Sequence, residues 1–265
     1  MTKRIRRGAI FARAIHKSFR EFARRKKRSG SAPTLRERAE WLSDACRGVL
    51  ASLDVRVSVE GVMPESGLIV SNHLSYLDIL CYSSIAPCVF VSKAEVRGWP
   101  VFGRLATNGG TIYIDRKSRV DAARVATEIE TALRDGIRVV LFPEGTSSAG
   151  DNVMPFHAPL LESAVKAAVP ITPSCLAYEI KGGDPRKDIC YWGDMTFATH
   201  FLGLLGKGKI HAHLSIGKPR VDLADRKSAS RILHNDVTEL HARLATQLKP
   251  AHHAGKTHQV QAARH

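Results

Sequence analysis

The stretch SNHLSYLD, residues 71–78, follows the apolar run GLIV at residues 67–70 directly. Such a short apolar run is typical of a buried strand. Positions five apart on one helix point roughly 140° away from each other, so the chain has to turn between His73 and Asp78 if their side chains are to meet. A loop histidine followed by an aspartate in the first helical turn gives an oriented imidazole base. The alternative is a plain helix start, in which His73 faces solvent and Asp78 favours the helix dipole.

Outward from this stretch, strand and helix patterns alternate along the chain. Strand patterns occur at 55–59, 68–70, 88–92, 111–115, 137–142, 171–177 and 211–216, and helical patterns at 35–53, 119–135, 158–168 and 231–248. The alternation predicts one α/β domain, residues 35–249, with a mixed, partly parallel central sheet flanked by helices and preceded by N-terminal amphipathic helices. Its ligands are expected beyond the carboxyl ends of strands. The tail 250–265, rich in His, Ala and Gln, is predicted to be disordered.

Residues 1–34 are predicted to be a basic arm and linker. Residues 1–28 hold twelve Lys/Arg and one acidic residue, a net +11 within a chain total of +15. Phe11, Ile15, Phe19 and Phe22 recur at helical spacing among basic residues, which is typical of an amphipathic helix in a bilayer interface. The alternative is a helix that packs on its own domain. Charge alone suits an anionic membrane surface, nucleic acid or an acidic protein, and the periodicity favours the membrane.

Composition disfavours several classes of protein and site. No stretch approaches the roughly 18 apolar residues of a spanning helix. Arg13 and Lys17 interrupt any apolar segment of a signal peptide, so we expect a peripheral protein at the cytoplasmic face of a membrane. Five scattered cysteines without a CxxC pair indicate reduced thiols. His211 and His213 alternate on one strand without partners at metal-ligand spacing, and the tail histidines are scattered, so we expect no metal site.

Three further segments place polar or turn-forming residues near predicted strand ends. GGTIYIDR at 109–116 brings Arg116 to such an end, where its guanidinium can bind phosphate or carboxylate, or simply pair with Asp115. In PEGTSS at 143–148, Gly145 permits close backbone approach to an anion, or forms a plain turn. VPITP at 169–173 is the weakest signal, because two prolines at an edge strand need no function.

In this order and at this spacing, NHLSYLD, GGTIYIDR, FPEGTSS and VPITP resemble the four signature blocks of the glycerophospholipid acyltransferase family, which includes the 1-acylglycerol-3-phosphate acyltransferases. The resemblance covers residues 40–220 and is most specific in the first and third blocks. Tyr113 stands where many members carry Phe. The resemblance implies a glycerol-3-phosphate acyltransferase-like fold.

The resemblance also implies a role for each matching residue. His73 becomes the general base and Asp78 its orienting partner. Five residues are implied to bind the acceptor: Lys93, Arg116, Glu144, Gly145 and Thr146. Among them, the Arg116 guanidinium is implied to bind the acceptor phosphate. The acyl-donor side is implied to be lined by Val169, Pro170 and Pro173. No metal or cofactor is expected besides the co-substrate, acyl-CoA or acyl-carrier protein.

The implied reaction moves a fatty acyl group to the free hydroxyl of the lysophospholipid 1-acylglycerol 3-phosphate and gives phosphatidic acid. A histidine with an unperturbed pKa of about 6.5 can take the hydroxyl proton at neutral pH, so no covalent intermediate is needed. GTSSA at 145–149 lacks the final glycine of a nucleophile elbow, which disfavours a serine hydrolase. Two alternatives stay open: acylation of another lysolipid such as a lyso-ornithine lipid, and a non-catalytic basic module that binds membrane or nucleic acid.

Overall fold

A seven-stranded sheet forms the centre of the computed structural model, which describes residues 3–115, 117–221 and 223–248. The strands are β1 (Val55–Glu60), β2 (Gly67–Ser71), β3 (Val89–Lys93), β4 (Ile112–Ile114), β5 (Arg138–Leu141), β6 (Ile171–Ile180) and β7 (Ile210–Ile216). Their order is β1-β7-β6-β2-β5-β3-β4, and all neighbours are parallel except β6 and β7. The predicted mixed, partly parallel sheet is confirmed.

Helices cover both faces of the sheet. They are α1 (Lys3–Ser29), α2 (Leu35–Leu53), α3 (Leu77–Ile85), α4 (Phe102–Asn108), α5 (Arg119–Arg134), α6 (Glu162–Lys166), α7 (Pro185–Asp188), α8 (Phe197–Leu204) and α9 (Arg226–Gln247), with 3₁₀ turns at Ala94–Gly98 and Pro159–Leu161. Apolar side chains of α1 to α4 and α8 pack on one face, and those of α5, α6 and α9 on the other. No helix in the described ranges is long and apolar enough to cross a membrane.

Strand β2 lies inside the sheet, and all five of its residues are buried. Ile69 faces the core layer that includes α1 to α4, whereas Leu68 and Val70 face the layer of α5, α6 and α9. Burial on both faces explains why this strand reads as a continuous apolar run rather than as an alternating one. Because β2 and β5 are parallel and in register, their carboxyl ends meet at one edge of the sheet, where the loop that contains His73 begins, and β6 continues past them.

The apolar stripe of α1 packs on its own domain. Phe11 and Ile15 are buried, Phe11 contacts the rings of Phe102 and Phe201, and Phe22 contacts the ring of Trp41. The prediction that this stripe lies in a bilayer interface is therefore wrong, and the alternative of intramolecular packing is correct. The physical reason is that apolar spacing reports only that a helix face is buried, and the domain itself supplies the apolar partner.

Polar contacts fix α1 in the same place. The guanidinium of Arg7 is buried, and it donates to the Asp54 carboxylate at 2.8 Å and to the backbone carbonyl of Lys207 at 2.6 Å. The Trp41 indole donates to the Ser18 carbonyl at 2.9 Å. A buried guanidinium is costly unless it is paired in this way, so Arg7 favours the docked position of the helix.

The linker between the two helices is short: α1 continues to Ser29, and α2 begins at Leu35. Thr34 starts α2 with a capping box: its side chain accepts from the Glu37 backbone, and the Glu37 carboxylate accepts from the Thr34 backbone at 2.7 Å. The predicted disordered tail, 250–265, lies outside the described residues.

Candidate active site

His73 and Asp78 meet as the turn after β2 predicts. His73 lies in the loop that leaves β2, and Asp78 lies in the first turn of α3. The imidazole Nδ1 is 2.7 Å from Asp78 Oδ2. A proton on Nδ1 that is donated to Asp78 leaves Nε2 as the nitrogen that can accept one from a substrate. The alternative of a plain helix start, with no contact between the two side chains, is wrong.

Asp78 is completely buried, and four donors surround its carboxylate. Oδ2 accepts from His73 Nδ1 and from the backbone amides of Leu74 at 2.7 Å and Ser75 at 3.0 Å, while Oδ1 accepts from the Tyr178 hydroxyl at 2.7 Å. A carboxylate away from water is stable only when its oxygens are hydrogen-bonded. The donors therefore hold Asp78 in place, and Asp78 in turn holds the imidazole.

The His73 ring is fixed from a second side. It stacks on Phe142, with 4.2 Å between ring centroids and 14° between planes. The His73 backbone amide donates to Glu144 Oε2 at 3.2 Å, and its carbonyl accepts from the Ser148 amide at 2.9 Å. The segment after β5 thus clamps the loop after β2, which limits the imidazole to one orientation.

Glu144 lies beneath the site rather than in it. Its side chain is buried, with only 2% of the residue exposed, and Oε1 accepts from the Met154 amide at 3.1 Å while Oε2 accepts from His73. Burial raises the pKa of Glu144 to about 8, against the two backbone hydrogen bonds that lower it. The expectation that Glu144 binds the acceptor is not supported, because its carboxyl group does not line the cavity.

A cavity of about 340 Å³ opens beside the imidazole. One part of its wall is polar, with Lys93 at the end of β3 and Gly145, Thr146 and Ser147 after β5. Another part is aromatic and is formed by Tyr76, Trp99, Phe102 and Tyr191. Gly145 has a φ of +73°, a conformation that residues with a side chain rarely adopt, so glycine suits this turn. The cavity therefore suits a molecule with a polar head and an apolar body.

The structure brings together His73, Lys93, Gly145 and Thr146, as predicted. It does not bring VPITP to this cavity. Val169 and Pro170 lie before the amino end of β6, whereas His73 follows the carboxyl end of the parallel β2, and Pro173 lines a separate groove. The predicted edge strand is also wrong, because β6 lies between β7 and β2. Arg116 lies outside the described residues.

Two supporting residues were missed by sequence reasoning. Tyr178, which donates to Asp78, is 100 residues away along the chain, and no local spacing connects the two. Phe142 belongs to the FPEGTSS segment, so a signal was present, but an apolar residue at a strand end predicts core packing before it predicts contact with a catalytic ring.

Comparison with known proteins finds matches in sequence and in fold. A model of the acyltransferase family matches residues 54–177. A lyso-ornithine lipid O-acyltransferase from Pseudomonas aeruginosa is 35% identical over 192 residues, which cover 69% of this chain and 72% of that protein. A 1-acyl-sn-glycerol-3-phosphate acyltransferase from Neisseria meningitidis is 37% identical over 152 residues, or 56% of this chain and 59% of that protein. The crystal structure of the 1-acyl-sn-glycerophosphate acyltransferase PlsC from Thermotoga maritima, 20% identical, has the same fold with a TM-score of 0.58 over 88% of each chain.

We expect Glu144→Gln to change how stability depends on pH. The pKa of Glu144 is about 8 in the folded chain and has its ordinary value of 4.5 in the unfolded chain. The proton therefore stabilises the wild type fully below the unfolded pKa, and this contribution is lost as pH rises through the folded pKa. Gln does not titrate, so the free energy of unfolding of the wild type relative to that of the variant should fall between about pH 5 and about pH 9. The fall should be at least about 1.4 kcal/mol, the free energy that corresponds to a pKa difference of one unit.

Urea unfolding of both proteins at several pH values measures this difference. The matched control is Glu65→Gln, which removes a carboxylate from an exposed loop and should show no such trend. A difference between wild type and Glu144→Gln that stays constant over the whole range would contradict the raised pKa.

Proposed function

The chain belongs to the acyltransferase family, and from that membership we propose that it transfers a fatty acyl group from an acyl thioester to the free hydroxyl of a lysolipid. The alternative of a non-catalytic basic module is excluded by the same membership. The first candidate acceptor is 1-acylglycerol 3-phosphate, with phosphatidic acid as product, and the donor is acyl-CoA or acyl-carrier protein. The second is a lyso-ornithine lipid, favoured by relatives of that name from Pseudomonas aeruginosa and Rhizobium meliloti.

One observation carries this proposal: the His73–Asp78 pair is fixed at the wall of a cavity that is polar on one side and aromatic on another. A lysolipid has the same division, with a polar head group that carries a phosphate or carboxylate and with an acyl chain. Lys93 lies on the polar side, where its ammonium group can pair with phosphate or carboxylate, and aromatic side chains offer apolar contact to the chain. The free hydroxyl of the lysolipid lies close to its head group, and the imidazole lines the same cavity.

In the proposed reaction His73 Nε2 takes the proton of the acceptor hydroxyl as its oxygen attacks the thioester carbonyl carbon. The C–O bond forms, the C–S bond breaks, and the imidazolium returns its proton to the departing thiolate. Asp78 stabilises the imidazolium and keeps the ring in one tautomer. A covalent intermediate has little support, since Ser75 is completely buried and the Ser147 hydroxyl donates to the Tyr191 carbonyl.

His73→Ala should lower kcat by on the order of 10²- to 10⁴-fold, the usual loss when a general base is removed. Asp78→Asn should be less damaging, since the imidazole remains. His157→Ala is the matched control, because His157 lies outside the cavity lining and should be dispensable. Release of free thiol from acyl-CoA in the presence of lysolipid measures the rate, and circular dichroism checks the fold. Full activity of folded His73→Ala would disprove the mechanism.

The acceptor is identified by comparing wild-type turnover of 1-acylglycerol 3-phosphate with that of a lyso-ornithine lipid, each product confirmed by mass spectrometry. For the acceptor used, Lys93→Ala should raise KM by at least several-fold with little change in the donor KM, because an anion loses its cation. Arg116→Lys should also raise the acceptor KM if the planar guanidinium of Arg116 makes two hydrogen bonds to the phosphate. Lys181→Ala, an exposed residue outside the cavity, is the control. Turnover of only the lyso-ornithine lipid would replace the first candidate by the second.

We further infer that α1 meets an anionic membrane surface through its basic face. Arg13, Lys17 and Arg20 follow one another at helical spacing, and all three are exposed. The opposite face of α1 carries Phe11, which packs on Phe102, a residue of the cavity wall. Contact of the basic face with a membrane would therefore bring the cavity close to the lipid that holds its acceptor.

Charge reversal tests this inference without removing the packed stripe. Arg13→Glu, Lys17→Glu and Arg20→Glu together should weaken binding to anionic liposomes by at least about 100-fold, since each basic residue contributes about 1 kcal/mol near such a surface. The control carries the same three reversals at Lys181, Lys218 and Lys227, which are exposed elsewhere. Cosedimentation measures binding, which should also weaken as salt rises. Equal loss in both variants would show that only net charge matters.

A further inference from the structure

Glu179, His211 and His213 form a cluster on the sheet that the acyl-transfer mechanism does not use. One ligand atom from each residue lies within 4.8 Å of the others. His213 Nε2 is 2.7 Å from Glu179 Oε2, and the two imidazole rings have centroids 4.0 Å apart. The histidines are partly buried and the Glu179 side chain is 49% exposed, so the cluster is accessible from solvent.

Strand geometry accounts for the cluster. His211 and His213 are two apart on β7, so their side chains lie on the same face of the sheet. β6 runs antiparallel to β7, with Glu179 directly opposite His211 and diagonal to His213. Side chains at opposite and diagonal positions of neighbouring strands are close enough to touch. The antiparallel register therefore brings three ligand groups together on a rigid surface.

We propose that Glu179, His211 and His213 bind one divalent transition-metal ion of the zinc class. Two imidazoles and one carboxylate are a ligand set that suits zinc and its neighbours, whereas Mg²⁺ and Ca²⁺ prefer oxygen ligands alone. Ligand atoms about 2.0–2.2 Å from one ion lie a little over 3 Å apart, so modest rotation of these side chains closes the site. Three protein ligands leave a fourth position for water.

A neighbouring hydroxyl group supports the site. Ser58 Oγ is 3.2 Å from His213 Nδ1, and it lies 3.5 Å from the Ala212 carbonyl, to which it can donate. Its lone pairs can then accept a hydrogen bond from the Nδ1–H group, which leaves Nε2 as the ligand atom that faces Glu179. Ring nitrogens of metal-binding histidines are commonly fixed by such a second hydrogen bond. The ion would take the place of the contact between His213 Nε2 and Glu179 Oε2.

One nearby charge opposes the ion. Arg56 on β1 is the register partner of His211, and its positive charge is felt at that imidazole. Removing this charge should tighten binding, because like charges repel in a partly buried setting. The site is separate from the acyl-transfer cavity: Glu179 follows Tyr178 directly on β6, and consecutive strand residues point to opposite faces.

Calorimetric titration of the full chain with Zn²⁺, after treatment with a chelator, tests the proposal, and Co²⁺ absorption reports ligand geometry. We expect about one Zn²⁺ ion to bind per chain. Glu179→Gln and the double variant His211→Ala/His213→Ala should each weaken binding by at least roughly tenfold. Loss of a residue that only supports a ligand already weakens metal binding by about this factor, and these variants remove ligands themselves. Ser58→Ala should weaken it by a similar factor, and Arg56→Gln should strengthen it. Circular dichroism and retained acyl transfer confirm that each variant folds.

The control is His252→Ala/His253→Ala, which removes two histidines of the tail and should leave the affinity unchanged. Zinc binding that is lost in this control and kept in Glu179→Gln would assign the metal to the tail and overturn the proposal. Absence of binding up to about 1 mM metal would overturn the proposal as well, because a Kd of about 1 mM corresponds to a binding free energy of only about 4 kcal/mol.

Discussion

Burial of one charged side chain, Asp78, constrains the rest of the candidate site. Its carboxylate has no exposed surface, so every favourable contact has to come from the protein. Two donors are backbone amides of the loop after β2, one is the imidazole, and one is a hydroxyl from β6. If this loop moved, the buried carboxylate would lose its hydrogen-bond donors, and a buried charge without partners strongly destabilises a fold. The loop conformation and the imidazole orientation are therefore consequences of one buried charge.

The same loop connects two other segments of the site. The His73 carbonyl accepts from the Ser148 amide, the Leu74 carbonyl accepts from the Tyr191 amide, and the Ser147 hydroxyl donates to the Tyr191 carbonyl. These bonds join the segments that follow β2, β5 and α7 around one cavity. Polar groups of irregular backbone need partners when they are buried, so the three segments satisfy each other while they form the cavity wall.

Local patterns predicted what depends on local geometry. The His73–Asp78 contact follows from a strand, a turn and the start of a helix within eight residues, and the strand-end argument correctly placed Gly145. Lys93 was implied only by the family resemblance. Long-range pairing decided the rest. Tyr178 reaches Asp78 only through the β6–β2 register, and the apolar stripe of α1 looks the same whether its partner is lipid or protein. Glu179 joins His211 only because β7 runs antiparallel to β6, a direction that neither strand encodes alone.

The β6–β7 ladder begins next to Pro173, a residue of the segment that gave the weakest signal in the sequence. Pro173 has no N–H to donate, and its carbonyl accepts from Gly217 at 2.8 Å just beyond the first ladder pair, Ser174 and Ile216. A side chain at Gly217 would lie 2.9 Å from the Pro173 ring, so glycine permits this close approach. Slipping the pairing by one residue would turn Tyr178 away from Asp78. Pro173 and Gly217 thus meet where the β6–β7 ladder begins, and the register of that ladder keeps Tyr178 on the face of the sheet from which it donates to Asp78.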